Sequence, residues 1–175
     1  MTLIQLRPTD EQDLPFVLDA ETAADNRRYV AQWTQAQHAA ALENPDLRHL
    51  IIERLEDRTP VGYLILAGLE SPHRSIEFRR IVVTEKGKGY GRHALRLVKR
   101  LAFEERGAHR LWLDVKDHNA RARQLYRSES FVEEGTLREC HKIANGYESL
   151  VIMSMLEDEY AAQGRFTAAT NTKRE

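Results

Sequence analysis

The chain has 175 residues and a formal net charge of −1; 42% of its residues are hydrophobic and 30% are charged. This length predicts one domain with a sizeable core, and the near-neutral charge argues against a nucleic-acid partner, which selects a strongly basic surface. The single cysteine, Cys140, excludes an internal disulfide, and no apolar run reaches the ~18 residues of a membrane-spanning helix. We therefore expect a cytoplasmic protein without a membrane partner.

The first part of the chain predicts one strand and two short helices. The apolar, β-forming stretch Thr2–Leu6 indicates a strand. Asp10 is placed to cap a helix with a single apolar face. Thr34 and Gln37 have the spacing of a capping box, which predicts a second helix that continues through Leu42.

Three strands are predicted next, at His49–Glu53, Val61–Ala67 and Ser75–Val83. The connections between them are too short to contain a crossover helix. The three strands are therefore predicted to form an antiparallel meander.

A helical pattern follows Gly91 and ends before Gly107, a residue typical of helix C-termini. Its apolar residues fall on one stripe of an amphipathic helix: Ala94, Leu97, Val98, Leu101 and Ala102. A strand over Arg110–Val115 comes next. Residues 79–115 are thus predicted to form a strand–helix–strand unit, parallel and right-handed.

The last part of the chain predicts a helix over Asn119–Arg127 and two strands, Phe131–Arg138 and Tyr147–Leu156. The intervening Asn145-Gly146 is a strong hairpin signal. From Asp158 onward the residues are mostly small and polar. We interpret residues 1–157 as a single domain and 158–175 as a loose tail.

A glycine-rich segment, Lys86-Gly87-Lys88-Gly89-Tyr90-Gly91-Arg92, lies between a predicted strand and a predicted helix. Glycines allow the backbone to approach a ligand, and the free N–H groups of a helix N-terminus bind anions such as a pyrophosphate. An ordinary glycine turn before a helix is the alternative interpretation.

Two other phosphate-binding loops fit this segment less well. A nucleotide-triphosphate loop requires Ser or Thr after Gly-Lys, whereas Gly89 stands there. The dinucleotide pattern G-x-G-x-x-A matches Gly89 to Ala94, with Asp114 at a suitable distance. That fold needs further βαβ units, which the sequence does not predict, so a nicotinamide oxidoreductase is a distant alternative.

Two segments resemble motifs of the GNAT acetyltransferases. The glycine segment is similar to their acetyl-CoA loop, Q/R-x-x-G-x-G/A, with Lys86 at the first position. Residues Asn119 to Tyr126, followed by Ser130-Phe131, resemble N-x-x-A-x-x-L-Y-x-x-x-G-F, with Ser130 in place of glycine. Phe131 to Gly135 and the closing hairpin are similar to spermidine and ribosomal-protein N-terminal acetyltransferases, and the resemblance covers residues 2–156.

The resemblance implies an α/β (α+β) fold, with a mixed, mostly antiparallel sheet flanked by helices and a central parallel βαβ unit. It implies that strand 79–83 diverges from strand 110–115 and that pantetheine bonds to backbone in the gap. Acetyl-CoA is then the co-substrate, and the implied cofactor-binding residues are Ile81, Val82, Val83, Lys86, Gly87, Lys88, Gly89, Tyr90, Gly91, Arg92, Asn119 and Arg123. The histidine and cysteine spacings match no metal motif, so no metal is predicted.

Acetyl transfer requires protonation of the departing thiolate, and Tyr126 is the candidate acid. A phenol with a pKa of about 10 can protonate a thiolate whose ordinary pKa is about 8.5 at hydrogen-bond distance. The spacing of Ala122, Leu125 and Tyr126 also suits simple core packing, and the resemblance favours the acid role. Glu77 is the candidate base, with an exposed strand glutamate as the alternative.

The acceptor amine is predicted to bind the segment Glu21 to Trp33. Glu21 and Asp25 suit a cationic amine, and Tyr29 and Trp33 can form pocket walls; the alternative is a solvated helix with two core aromatics. We predict an N-acetyltransferase acting by direct attack in a ternary complex on a small amine, a polyamine or a peptide N-terminus. The alternative function is a catalytically silent acyl-CoA-binding module, and the resemblance favours a homodimer.

Overall fold

The computed structural model describes residues 3–171, with side chains described for residues 3–164. Seven strands form one sheet in the order β1-β2-β3-β4-β5-β7-β6. All neighbours are antiparallel except β4 and β5, which are parallel. This is the mixed sheet that the sequence predicts. The strands are β1 (Ile4–Pro8), β2 (Leu47–Arg54), β3 (Pro60–Ala67), β4 (Ser75–Val83), β5 (Arg110–Lys116), β6 (Val132–Ile143) and β7 (Gly146–Leu156).

The predicted N-terminal elements are confirmed with small shifts at their ends. Strand β1 ends at Pro8 rather than Leu6, which a proline can do on an edge strand because its missing N–H faces no partner; Thr2 lies outside the described residues. Asp10 caps a single 3₁₀ turn that continues into α1 (Leu14–Thr22). The Thr34 capping box is present and starts α2 (Gln35–Glu43).

The amphipathic helix α3 (Tyr90–Arg100) continues as a π-helical turn over 101–105. Its buried face contains Ala94, Val98 and Ala102, as predicted, and also Leu95. The helix ends at Gly107, whose φ of 62° lies in the left-handed region that favours glycine.

A β-bulge at Arg79 exchanges the two faces of β4. Phe78 pairs with Leu66 and Arg80 pairs with Ile65, so Arg79 is an extra residue. Before the bulge, Phe78 faces the core beneath α3; beyond it, Val82 packs with residues of α1 in a second core on the opposite face. The bulge therefore directs Arg80 to the α1 side of the sheet.

The C-terminal part contains α4 (Ala120–Ser128), the β6–β7 hairpin and α5 (Glu157–Asn171). The predicted strand Phe131–Arg138 is longer than expected and continues to Ile143. Helix α5 occupies much of the segment for which composition predicts a loose tail. Three acidic residues in its first turn suit a helix N-terminus, and Tyr160 stacks on Phe103 with ring centroids 4.8 Å apart.

None of the helices in the described part of the chain is long and apolar enough to cross a membrane.

Candidate active site

The parallel strands β4 and β5 separate in the middle of the sheet. Their pairing ends at Glu77 and Trp112, so the second half of β4 has one unpaired edge within the described chain. The N–H of Thr84 donates to the carbonyl of Val61 on β3 at 2.9 Å. Because successive residues of a strand point their backbone groups to opposite edges, those of Ile81 and Val83 face the gap. This is the divergence that the family resemblance implies.

The glycine loop and the start of α3 close one end of this gap. Gly87 and Gly89 have φ angles of 78° and 80°, and a Cβ added to either would meet no atom within 4 Å. Glycine is therefore required by conformation, and space remains above the loop. Gly89 is the N-cap and has no capping side chain. Within residues 3–171, no partner is found for the first amides of the helix, those of Tyr90, Gly91 and Arg92.

Tyr126 lies on α4 beside the gap. Its ring is buried and packs on Phe131, with centroids 5.9 Å apart. The Tyr126 hydroxyl forms no hydrogen bond with a residue that the structure describes. It is also not one of the fully buried polar atoms that lack a partner, so it keeps some contact with solvent. Burial raises the pKa of Tyr126, and the charge of Asp114 adds to this effect. The phenol therefore stays protonated at neutral pH and is available as a hydrogen-bond donor.

Two carboxylates face the gap from the α1 side of the sheet. Glu77 lies opposite Trp112 in the register, and alternation along β5 places Asp114 on the same face as Trp112. Glu77 is held by Arg79 at 2.8 Å. Asp114 is exposed at the surface of the gap, but the neighbouring protein partly desolvates its carboxyl and so raises its pKa, and the negative charge of Glu77 raises it further. In the sequence, Asp114 stands out only as part of a dinucleotide pattern, so its pairing with Glu77 is not predicted there.

Residues 14–131 match the family model described as the Acetyltransferase (GNAT) family. This span covers more than half of the chain and contains the loop, the gap and Tyr126. The chain therefore belongs to the GNAT family.

Known GNAT enzymes are similar to this chain over nearly its whole length. A spermidine N(1)-acetyltransferase of Escherichia coli (strain K12) is 27% identical over 181 aligned positions, covering 97% of this chain and 95% of the relative. A spermidine N-acetyltransferase of Vibrio cholerae, solved with CoA and spermine, superposes with a TM-score of 0.82; it is 24% identical over 92% of this chain and 99% of that one. A dodecameric structure of the Vibrio cholerae enzyme has a TM-score of 0.77 at 24% identity, over 91% and 97% of the two chains.

The family assignment settles the class of activity. The chain is an acetyl-CoA-dependent N-acetyltransferase, and the GNAT match supports an enzyme rather than a silent acyl-CoA-binding module. The co-substrate fits the residues present, since unpaired amides of α3 and the open edge of β4 match the diphosphate and the pantetheine arm. No group of three His, Cys, Asp or Glu side chains in the described part of the chain is placed to hold a metal ion.

The side chain of Lys86, at the first position of the GNAT loop motif, turns towards the protein. Its ammonium donates to Asn26 Oδ1 at 2.5 Å and to the carbonyl of Val83 at 2.7 Å. Burial lowers the pKa of Lys86, and the charge of Arg121 lowers it further. In this conformation, Lys86 joins the loop to the segment after α1 and offers a ligand mainly its backbone.

The other predicted cofactor side chains have structural partners. Asn119 caps α4, accepting a bond from the N–H of Ala122 at 3.2 Å. Arg123 pairs with Glu133 at 3.0 Å and donates to the carbonyl of Asp117. Side-chain contacts from Asn119 and Arg123 to the co-substrate remain predictions, as does the role of Val82, whose side chain is buried in the second core.

The sequence predicts that Glu21 contacts a cationic amine. In the structure, its partners are other residues of the chain. The side chain is 1% exposed and pairs with Arg80. It also accepts hydrogen bonds from Tyr63 and from the backbone N–H of Trp33. A carboxylate enclosed in this way supports the core between α1 and the sheet, and an amine has no direct access to it. The β-bulge at Arg79 brings Arg80 to this face of the sheet, and it has no signal in the sequence.

The two aromatic residues predicted to contact the amine are half-buried and lie apart. The ring of Trp33 packs beneath the Arg80 guanidinium at 4.3 Å. The ring of Tyr29 lies 5.8 Å from that of His118, and Arg28 lies over it. Of the two, Tyr29 is nearer to the residues that follow β5, whereas Trp33 belongs to the buried cluster around Glu21.

Proposed function

We propose that this GNAT enzyme acetylates a polyamine such as spermidine, by direct attack of a neutral amine on acetyl-CoA bound in the gap between β4 and β5. The observation that carries the proposal is the alignment of three features along one gap: the uncapped amides of α3, the edge of β4 at Ile81 and Val83 that β5 leaves unpaired, and the unbonded hydroxyl of Tyr126. The amine nitrogen bonds to the carbonyl carbon, the carbon–sulfur bond breaks, and Tyr126 supplies the proton to the sulfur.

Two observations favour a polyamine acceptor. The curated relative from Escherichia coli is a spermidine N(1)-acetyltransferase, and the superposed Vibrio cholerae structure contains spermine. In this chain, the carboxylates of Glu77 and Asp114 face the gap together and attract a cation. A peptide N-terminus carries a single ammonium and gains less from two neighbouring carboxylates.

The acceptor is tested by following CoA thiol release with spermidine, spermine, lysine and a short peptide as amines. The proposal predicts that the two polyamines give the highest kcat/KM. Turnover with the peptide alone would contradict the polyamine assignment. Binding of acetyl-CoA without turnover of any amine would favour a silent acyl-CoA-binding module instead.

We propose that Asp114 acts as the base, with Glu77 tuning it. An alkylamine with a pKa of about 10.4 is neutral only about 0.04% of the time at pH 7, so a base contributes strongly. Asp114 must be ionised to accept the proton, and repulsion from Glu77 brings its pKa closer to the working pH. Glu77, the candidate base from the sequence, is itself paired with Arg79.

Substitution of Asp114 and substitution of Glu77 are expected to affect kcat/KM in different ways. Asp114→Asn is expected to lower kcat/KM about 10²-fold at pH 7. Glu77→Gln removes a negative charge, lowers the pKa of Asp114 and shifts the acidic limb of the pH–rate profile to lower pH. Profiles of kcat/KM between pH 5 and 9 measure both effects. An unchanged profile in Asp114→Asn, with a large loss in Glu77→Gln, would return the base role to Glu77.

We also propose that the enzyme self-associates through β6. This strand ends the sheet, and every residue along it is exposed. Its exposed apolar side chains include Val132, Leu137 and Ile143, which an edge strand seldom leaves uncovered.

Light scattering after size exclusion is expected to give at least twice the mass of one chain, and Leu137→Lys is expected to lower the measured mass. A monomer at micromolar concentration would contradict the proposal.

A further inference from the structure

Glu129, at the C-terminal end of α4, is the centre of a charged cluster that joins α4 to α3. Its carboxylate, 5% exposed, pairs with Arg92 at 2.6 Å, Arg96 at 3.0 Å and Lys99 at 3.0 Å. The three cations are spaced by four and three residues, so they lie on one face of α3. Lys99 is buried too, and its ammonium also lies 3.4 Å from Gln163.

The cluster remains charged throughout the working pH range. Burial favours the neutral form of Glu129, but hydrogen bonds from Arg96, Arg92 and Lys99 outweigh it and lower the pKa of the carboxyl to about 2. Charge-assisted hydrogen bonds are stronger than neutral ones and restrict the geometry of the groups that they join. The two helices also approach each other at Gly91, where an added Cβ would lie 3.9 Å from the side chain of Leu125, and Arg92 donates to the Ser128 hydroxyl at 3.0 Å.

The charged cluster connects the proposed diphosphate-binding end of α3 with the turn of α4 that contains Tyr126. On α3, Arg92 directly follows Gly91, the second of the uncapped amides. On α4, the N–H of Glu129 donates to the carbonyls of Leu125 and Tyr126 at 3.1 Å, and that of Phe131 donates to the Tyr126 carbonyl at 2.9 Å. Tyr126 and Glu129 are therefore parts of one hydrogen-bonded turn.

We propose that Glu129 is a positioning residue, which fixes the Tyr126 hydroxyl relative to the diphosphate-binding end of α3. The inference rests on the proposed function, because the distance that it sets matters only if Tyr126 protonates the thiolate. An acid displaced by about 1 Å loses much of its effect, while the amides that hold the diphosphate keep theirs. Glu129 thus acts on kcat and leaves the affinity for acetyl-CoA largely unchanged.

The test separates positioning from folding with a double variant. Glu129→Gln alone leaves the buried ammonium of Lys99 without its carboxylate partner, which destabilises the protein. Replacing Lys99 with Met in the same chain removes that buried charge and restores stability, but not the link between the helices. In the double variant E129Q/K99M, the thermal midpoint is expected to return close to the wild-type value. Its kcat is expected to be about tenfold lower, and its Kd for CoA within about threefold of wild type.

Glu53→Gln is the matched control. Glu53 is equally buried and pairs with Arg7 and Arg58, but it lies on β2, two strands away from the gap. This variant is expected to lose stability and keep the wild-type kcat when assayed below its unfolding temperature. If kcat in E129Q/K99M recovers together with stability, Glu129 acts through folding alone and the inference is wrong.

A separate measurement distinguishes failure of this inference from failure of the proposed function. Wild-type enzyme is assayed first with the amine panel, and absence of thiol release there counts against the function alone. The positioning role is then judged from crystal structures of wild type and E129Q/K99M with CoA. Displacement of α4 relative to α3 in the double variant supports it, and superposable helices overturn it.

Discussion

Replacing Tyr126 with Phe is expected to lower kcat about 10²-fold, because removal of a general acid typically costs between about 10² and 10⁴ in rate. In this variant, the departing thiolate takes its proton from water, which is less favourably placed than the Tyr126 phenol. The Tyr126 hydroxyl makes no hydrogen bond to another described residue, so its loss leaves no partner unpaired and stability changes little. The Kd for acetyl-CoA is expected to stay within about twofold, since the diphosphate is held by backbone amides.

Tyr160→Phe provides the matched control for this variant. Its hydroxyl donates to Glu104 at 2.5 Å, on the outer side of α3. Saturating kinetics with acetyl-CoA and spermidine, followed by thiol release, give kcat for each variant. Unchanged turnover in Tyr126→Phe would remove the acid role and leave Tyr126 as a packing residue.

The free energy of unfolding is expected to fall by roughly 3 kcal/mol as the pH falls from 6.5 to 4, because of one buried histidine. His49 is 5% exposed; burial, with the charges of His38 and Arg80, lowers its pKa from 6.5 to about 4. Below pH 6.5, the unfolded chain binds a proton at this residue and the folded chain does not. Stability is therefore lost progressively until about pH 4, and above pH 6.5 the residue contributes no pH dependence.

His49 belongs to a buried chain of hydrogen bonds that runs from Glu21 through His38 and His49 to Thr9. Glu21 can only accept, so His38 donates to it from Nε2 at 3.0 Å. His38 Nδ1 forms a hydrogen bond with His49 Nε2 at 3.1 Å, and His49 Nδ1 forms one with the Thr9 hydroxyl at 2.8 Å. His49 is therefore neutral in the folded protein at neutral pH, and a proton added to it would be buried near the charge of Arg80.

Chemical denaturation at several pH values measures this effect. In His49→Gln, whose amide can still form a hydrogen bond with His38, the fall between pH 6.5 and 4 is expected to be much smaller than in wild type. The exposed His73 provides the control, and His73→Gln is expected to leave the curve unchanged. Equal curves for wild type and His49→Gln would show that other groups govern acid stability.

Local patterns in the sequence predict most of the elements, because periodicity and caps act over a few residues. The Thr34 capping box, the stripe on α3 and the Asn119 cap are all present in the structure. The glycine loop is recognisable because its conformation requires glycine at Gly87 and Gly89. Composition predicts a loose tail over residues 158–175, whereas the structure has α5 as far as Asn171, with Tyr160 stacked on Phe103; residues 172–175 lie outside the described residues.

Pairings between distant side chains have no comparable signal. Glu21 and Arg80 are 59 positions apart and meet only because a bulge turns Arg80 to the α1 face. Asp114 lies beside Glu77 because of the register of two parallel strands. Glu129 meets three cations of α3 only once the two helices are packed. A charged residue in a sequence does not reveal its partner, which is why the sequence assigns Glu21 to the amine whereas the structure pairs it with Arg80 in the core.

Calorimetric titration of the purified protein with CoA and with pantetheine bears most directly on the active site. If the amides at the start of α3 grip the diphosphate, CoA binds with a Kd in the micromolar range or below. Pantetheine, which lacks the diphosphate, binds at least about tenfold more weakly, a difference of about 1.4 kcal/mol. Absence of detectable CoA binding, or equal affinity for the two molecules, would contradict this account of the site.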